Sequence, residues 1–162
     1  MRRALTVLLF ATLLAPTLAA AHCEVPCGIY GDAMRIEMLR EHVTTIEKAM
    51  DQIVALSGEG EENYNQIVRW VVNKEEHAEE FQHIVSQYFL HQRIKPVGVE
   101  DASYVNKLTL LHGMLVSAMK AKQTTDKAHT AKLVELIDEF AAAYFGPEDL
   151  KHLREHRMGS GR

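Results

Sequence analysis

Apolar residues recur at alternating spacings of three and four along most of the chain. Ile36, Leu39, Val43, Ile46, Met50 and Ile53 form the first such series, the seam of a helix that packs along one face. Ser57-Gly58-Glu59-Gly60 closes it, glycine being suited to the left-handed position that follows a helix end. A second series carries Tyr64, Ile67, Val68, Val71, Ala78, Phe81, Val85, Tyr88 and Phe89. It breaks at Lys95-Pro96-Val97-Gly98, because Pro96 cannot continue a helix and restricts Lys95. The third opens near Asp101, a good N-cap residue, and shows Val105, Leu108, Leu111, Leu115 and Met119. The fourth follows Asp126 with Leu133, Leu136, Ile137, Phe140 and Tyr144, and stops before Gly146-Pro147. No stretch sustains the period-two alternation of a strand.

Four amphipathic helices on short loops predict an all-α fold, an antiparallel four-helix bundle over residues 33–146. Helices of this length are marginal alone, so each stripe is expected to be buried against the others. Residues 147–162 read as a short helix starting at Pro147, a good first-turn residue, or as a flexible tail.

The first 21 residues have a different character. Met1-Arg2-Arg3 is followed by the apolar run "ALTVLLFATLLA" and by the small residues of "TLAAA". Charge, short apolar run and Ala-x-Ala site predict a signal peptide cleaved after Ala21. The alternative is an uncleaved membrane anchor, for which the run is short. Cleavage implies an exported chain, periplasmic or secreted, without stable membrane association afterwards. The full chain carries 18 Lys and Arg against 22 Asp and Glu. This mildly acidic balance argues against a general nucleic-acid binder, which needs a basic face.

The polar residues of the bundle are a weak case for chemistry. Glu80 and His83 have the Glu-x-x-His spacing of a di-metal carboxylate bundle, but no second such pair occurs on the other helices. Solvated, charge-paired helix faces account for them. His112 falls on an otherwise apolar face and is expected to be an interior or interface histidine. His152 and His156 read as surface residues. Met34, Met38, Met50, Met114 and Met119 suit core or interface filling.

Past the cleavage site the sequence reads "HCEVPCGIYGD", residues 22–32. Cys23 and Cys27 are the two cysteines of the chain. A disulfide between them would close a loop too small to stabilise much. Cleavage, however, gives His22 a free α-amine beside its imidazole. Amine, deprotonated Cys23 amide and Cys23 thiolate would form fused five-membered chelate rings, which favour a plane. Cys27 can complete it if the chain turns sharply, and Pro26-Cys27-Gly28 has the residues for that turn. Planar nitrogen and sulfur donors suit Ni(II) or Cu(II), whereas Zn(II) wants a tetrahedron. The His22 imidazole could lie axially as a fifth ligand. Anionic donors of this kind make one-electron chemistry accessible. Residues 22–32 thus read as an N-terminal metal-binding hook ahead of the bundle.

"HCEVPCGIY" resembles the hook of the nickel-containing superoxide dismutases, whose pattern is His-Cys-x-x-Pro-Cys-Gly-x-Tyr at the mature N-terminus. Every fixed position matches, from His22 to Tyr30. The resemblance implies a four-helix subunit assembled as a homohexamer, with one nickel ion per subunit. It also implies superoxide disproportionated to dioxygen and hydrogen peroxide as nickel cycles between Ni(II) and Ni(III). The ligands would be His22, Cys23 and Cys27, with Pro26 and Gly28 shaping the turn. Tyr30 would stand over the open face of the metal and restrict access to small anions. "QYF" at Gln87-Tyr88-Phe89 resembles the family's "DYF", which makes Tyr88 the second tyrosine near the pocket. Glu37, in "RIE", resembles the carboxylate that holds the axial histidine, one residue nearer to Tyr30 than in the family's pattern. Where some members use an arginine from a neighbouring subunit, this chain has His77.

Two other classes fit the same residues. A non-catalytic periplasmic bundle could bind nickel or copper at the hook without turnover, and a helical interaction module could carry an oxidised hook without metal. Superoxide is an anion and the chain is net negative, so capture needs a local positive field. Arg35, Arg40 and Lys48 of the first helix are candidates, as is a neighbouring subunit. In an oxidising compartment, nickel loading must also compete with disulfide formation.

Overall fold

The seam of Ile36, Leu39, Val43, Ile46 and Met50 is buried almost without exposure, and it organises the molecule. These residues lie on α1, Asp32–Ser57. The computed structural model describes residues 31–58 and 63–151. The hook residues His22, Cys23, Pro26, Cys27, Gly28 and Tyr30 lie outside the described residues, as do the signal-peptide segment and residues 152–162. The remaining helices are α2, Tyr64–His83, α3, Ala102–Gln123, and α4, Ala128–Tyr144. A further helical turn occupies 147–151, where Leu150 N–H donates to the Gly146 carbonyl at 3.1 Å.

Round the bundle, α1 packs against α2 and α4, and α3 packs against α2 and α4. This is the cyclic order of an antiparallel four-helix bundle, and the described residues contain no strand. Asp101 caps α3 as its side chain foretells, accepting from Tyr104 N–H at 2.8 Å. Pro96 falls in the non-helical segment that precedes α3. Gly58 departs from the expected left-handed cap: its φ of −86° is right-handed, and its N–H turns back to the Ala55 carbonyl.

The second series does not end as one α-helix. From Ile84 to Arg93 the chain runs on from α2 as a π-helix, with the Ile94 N–H donating to the Phe89 carbonyl five residues back at 2.9 Å. Periodicity does not reveal this widening, because its buried residues Ile84, Val85, Tyr88, Phe89 and Gln92 still sit about four apart.

Two expected stripes are corrected. On α3 the buried residues are Leu110, Leu111, Met114, Ala118 and Ala121, whereas Val105 and Met119 are 40% and 44% exposed. Small side chains let the helices approach there, so alanines carry the seam that larger residues were expected to carry. On α2, Tyr64, Val68 and Val71 are exposed. The cause is length. Lys74 sits level with the end of α3, and the ten residues of α2 before it run on about 15 Å further. Neither α3 nor α4 covers them. Met50 and Met114 fill the core as expected, Met38 packs against it, and Met34 is exposed. His112 is exposed as well, so within the subunit it is not an interior histidine.

The larger core cluster contains Phe81, Phe89, Leu111, Leu133, Ile137 and Phe140 beside the α1 seam. Phe89 meets Phe140 edge-on at 5.1 Å and Tyr144 at 5.6 Å. Tyr88 joins this aromatic cluster through Phe89, and the cluster supports the first turn of α1.

Candidate metal centre

The described structure begins one residue past Tyr30, at Gly31. Asp32 is the first residue of α1, directly after the N-cap Gly31, and its carboxylate is held by other elements of the bundle. It accepts from the Tyr88 hydroxyl at 2.5 Å and the Tyr144 hydroxyl at 2.7 Å. Arg93 adds a fork, with Nε at 2.9 Å and Nη2 at 2.6 Å. The Tyr88 oxygen is also hydrogen-bonded by the backbone of Gly31. Arg35 lies over the Tyr88 ring at 5.1 Å, a cation–π contact.

These bonds set the ionisation of the group. Burial alone would raise the Asp32 carboxyl, but hydrogen bonds from Arg93, Tyr88 and Tyr144 more than offset it and hold it below 3.8. Burial, and then Asp32, push the Tyr88 hydroxyl well above its ordinary value and that of Tyr144 up to about 12. Tyr88 is thus a hydroxyl donor across the working pH range.

Glu37 lies on α1 beside Arg40, with Oε1 3.5 Å from Arg40 Nε. That oxygen is buried and has no hydrogen-bond partner among the described residues. An orphaned carboxylate oxygen on the helix that follows the hook fits the expected acceptor for a hook imidazole. The donors themselves, one imidazole, one amine, one amide nitrogen and two thiolates, are a set that nickel accepts. By the pitch of α1, Glu37 lies about 140° round the helix from Asp32, so it belongs to a different flank from Tyr88.

His77 meets His42 of the same subunit across the α1–α2 seam, Nδ1 to Nδ1 at 2.9 Å. One ring must donate and the other accept, so the two Nδ1 atoms share a single proton. His42 stands about 15 Å along α1 from Asp32, so His77, Glu37 and Tyr88 are not gathered at one point within the subunit. Of the expected positive residues, Arg40 donates to Asp138 at 2.6 Å and Lys48 lies 5.9 Å over Trp70. No group of three or more His, Cys, Asp or Glu among the described residues could hold a metal ion, Glu80 and His83 included. No helix among them is long and apolar enough to cross a membrane.

Asp32, Arg93 and Tyr144 were not singled out as site residues in the sequence. Tyr144 read as part of a core stripe. Tyr88 and Arg93 are five apart, which an α-helix would place on different faces. The usable signal was an acidic residue two positions past Tyr30, at the helix start.

The His42 pair has a consequence for acid stability. Burial, and then the His77 ring, hold His42 below its ordinary 6.5, against the pull of Glu80 and Glu41. The unfolded chain therefore binds this proton first, and the fold loses stability as pH falls below about 6.5 until folded His42 protonates. Asp32 adds a second loss below 3.8. Urea midpoints measured from about pH 7.5 to 5 are expected to fall less steeply in His42→Gln than in wild type. Equal slopes would sink this account.

The family model of nickel-containing superoxide dismutase matches residues 17–147, which spans the hook and all four helices. The chain belongs to the nickel-containing superoxide dismutase family. Membership makes it an oxidoreductase that acts on superoxide and uses nickel. No curated protein and no solved structure matches the chain.

Proposed function

We propose that the protein disproportionates superoxide to dioxygen and hydrogen peroxide at a nickel centre built on a mature N-terminus that begins at His22. The observation that carries this reading is the complete hook pattern, His22-Cys23, Pro26-Cys27-Gly28 and Tyr30, in a chain whose family uses nickel. The α-amine and imidazole of His22, the amide nitrogen and thiolate of Cys23 and the thiolate of Cys27 hold one nickel per subunit. Bound there, nickel supplies one-electron chemistry between Ni(II) and Ni(III).

The other residues act on access and on protons. Tyr30 limits entry to small anions and orders water. Glu37, with its orphaned buried oxygen, accepts the N–H of the His22 ring and fixes its orientation. Tyr88 stands with its hydroxyl held by Asp32. His77 takes the place of the neighbouring-subunit arginine. Arg35, stacked on Tyr88, is the best placed of the α1 cations to favour an anion.

Assembly as a homohexamer, after export to the periplasm or beyond and removal of residues 1–21, completes the reading. The apolar face of Tyr64, Val68, Val71 and Val72, uncovered by the subunit's own helices, supports association. The test is superoxide consumption by protein beginning at His22, prepared with nickel, with copper or without metal. Turnover with nickel alone is expected. Stoichiometric nickel without turnover would favour the metal-binding bundle instead.

A further inference from the structure

We propose that Asp32 is a positioning residue for the dismutase reaction: clamped by Arg93 and Tyr144, it fixes the Tyr88 hydroxyl and the point where the hook joins the bundle. The proposal rests on the reading of residues 22–30 as the nickel hook.

Asp32 follows the N-cap Gly31 as the first residue of α1, and its hydrogen bonds go to donors 56, 61 and 112 residues away, from two other elements of the bundle. A carboxylate offers about four lone-pair sites. Tyr88, Tyr144 and the two Arg93 nitrogens fill them, so the group is saturated and its orientation fixed.

The backbone supports the same reading. Five residues of α-helix turn the chain through about 500°, which would leave Tyr88 and Arg93 some 140° apart. The wider π-helical turn, closed by i to i+5 hydrogen bonds, brings both to one carboxylate. Such turns are rare and occur often at functional sites. Here it joins two donors to the first residue of α1, two positions after Tyr30. Through Asp32 the two donors are tied to the start of α1. Arg93 is neutralised by the pairing and acts through Asp32, not as a free positive charge.

Removing the charge while keeping the shape separates positioning from packing. In Asp32→Asn an NH2 group faces donors, and Arg93 is left beside the phenols without its counter-ion. The nickel-loaded protein beginning at His22 is expected to keep its nickel and to turn over superoxide about tenfold more slowly. Followed by tyrosinate absorbance, one tyrosine is expected to ionise at least about one pH unit lower than in wild type. Tyr144→Phe keeps the carboxylate and one hydroxyl donor fewer, and is expected to show a smaller loss of the same kind. Arg93→Lys keeps the charge without the fork, and is expected to preserve tyrosine ionisation more fully than turnover. Wild-type turnover and tyrosine ionisation in all three variants would overturn the proposal. A fall in turnover matched by lost nickel would do so too, since that is loss of structure. Should wild-type protein with nickel fail to turn over, the dismutase reading fails, while the tyrosine titration still judges the clamp.

Discussion

Protein that keeps Ala21 ahead of His22 is expected to turn over superoxide at least about a hundredfold more slowly than protein beginning at His22, because a ligand is removed, not merely a neighbour of one. One peptide bond makes the difference. It converts the His22 α-amine, a neutral donor once deprotonated near pH 8, into an amide whose lone pair is delocalised. The chelate rings then lose the terminal nitrogen, and the donor set changes in charge and basicity. The measurement is superoxide consumption beside nickel content for the two forms, loaded identically. Activity in the cut form alone supports the free amine as a ligand. Equal activity in both would sink the proposed ligand set. Activity in neither, with nickel bound, would turn the reading towards a metal-binding bundle.

The largest effect on stability is expected at Lys74. Its side chain is buried, 4% exposed, and its ammonium donates to the carbonyls of Ala121 at 2.9 Å, Lys122, and Thr124 at 3.4 Å. These are the unsatisfied carbonyls at the end of α3, where the helix dipole also favours a cation. Glu75 lies 3.4 Å away and supplies a counter-charge. Lys74→Met keeps an unbranched stem as far as Cε and removes the charge and all three donors. Hydrogen bonds to charged groups each contribute about 1.5–3 kcal/mol, and they do not add fully, so a loss of about 3 kcal/mol is expected. Urea unfolding at fixed protein concentration measures it as a lower midpoint with unchanged slope. A loss under about 0.5 kcal/mol would mean that water replaces the lysine as the cap.

Lys74 also shows why the sequence was only partly legible. In "VVNKEEHAEE" it reads as one charge in a solvated run, and no local pattern tells that α3 ends against it. The same holds for Tyr64, Val68 and Val71, whose spacing promised a buried stripe. Their exposure follows from the lengths of α3 and α4, which α2 alone does not encode. Ala118 and Ala121 were passed over in favour of Val105 and Met119, because close approach of helices selects small residues and hydrophobicity does not rank them highly.

The sequence by itself determined the all-α class and holds the donor pattern on which the nickel reading rests. Donor type and spacing from His22 to Tyr30 are local facts, since a chelate ring is built from consecutive atoms. The α1 seam and the N-cap at Asp101 are local as well, being matters of helical pitch and of one side chain reaching its own backbone. The tertiary structure alone decided which distant groups meet. Asp32 receives Tyr88, Arg93 and Tyr144 because a π-helical turn rotates two of them onto one face and the bundle brings α4 alongside. His77 meets His42 because α1 and α2 run antiparallel in one register. Such contacts join residues tens of positions apart, and packing the whole core sets their register.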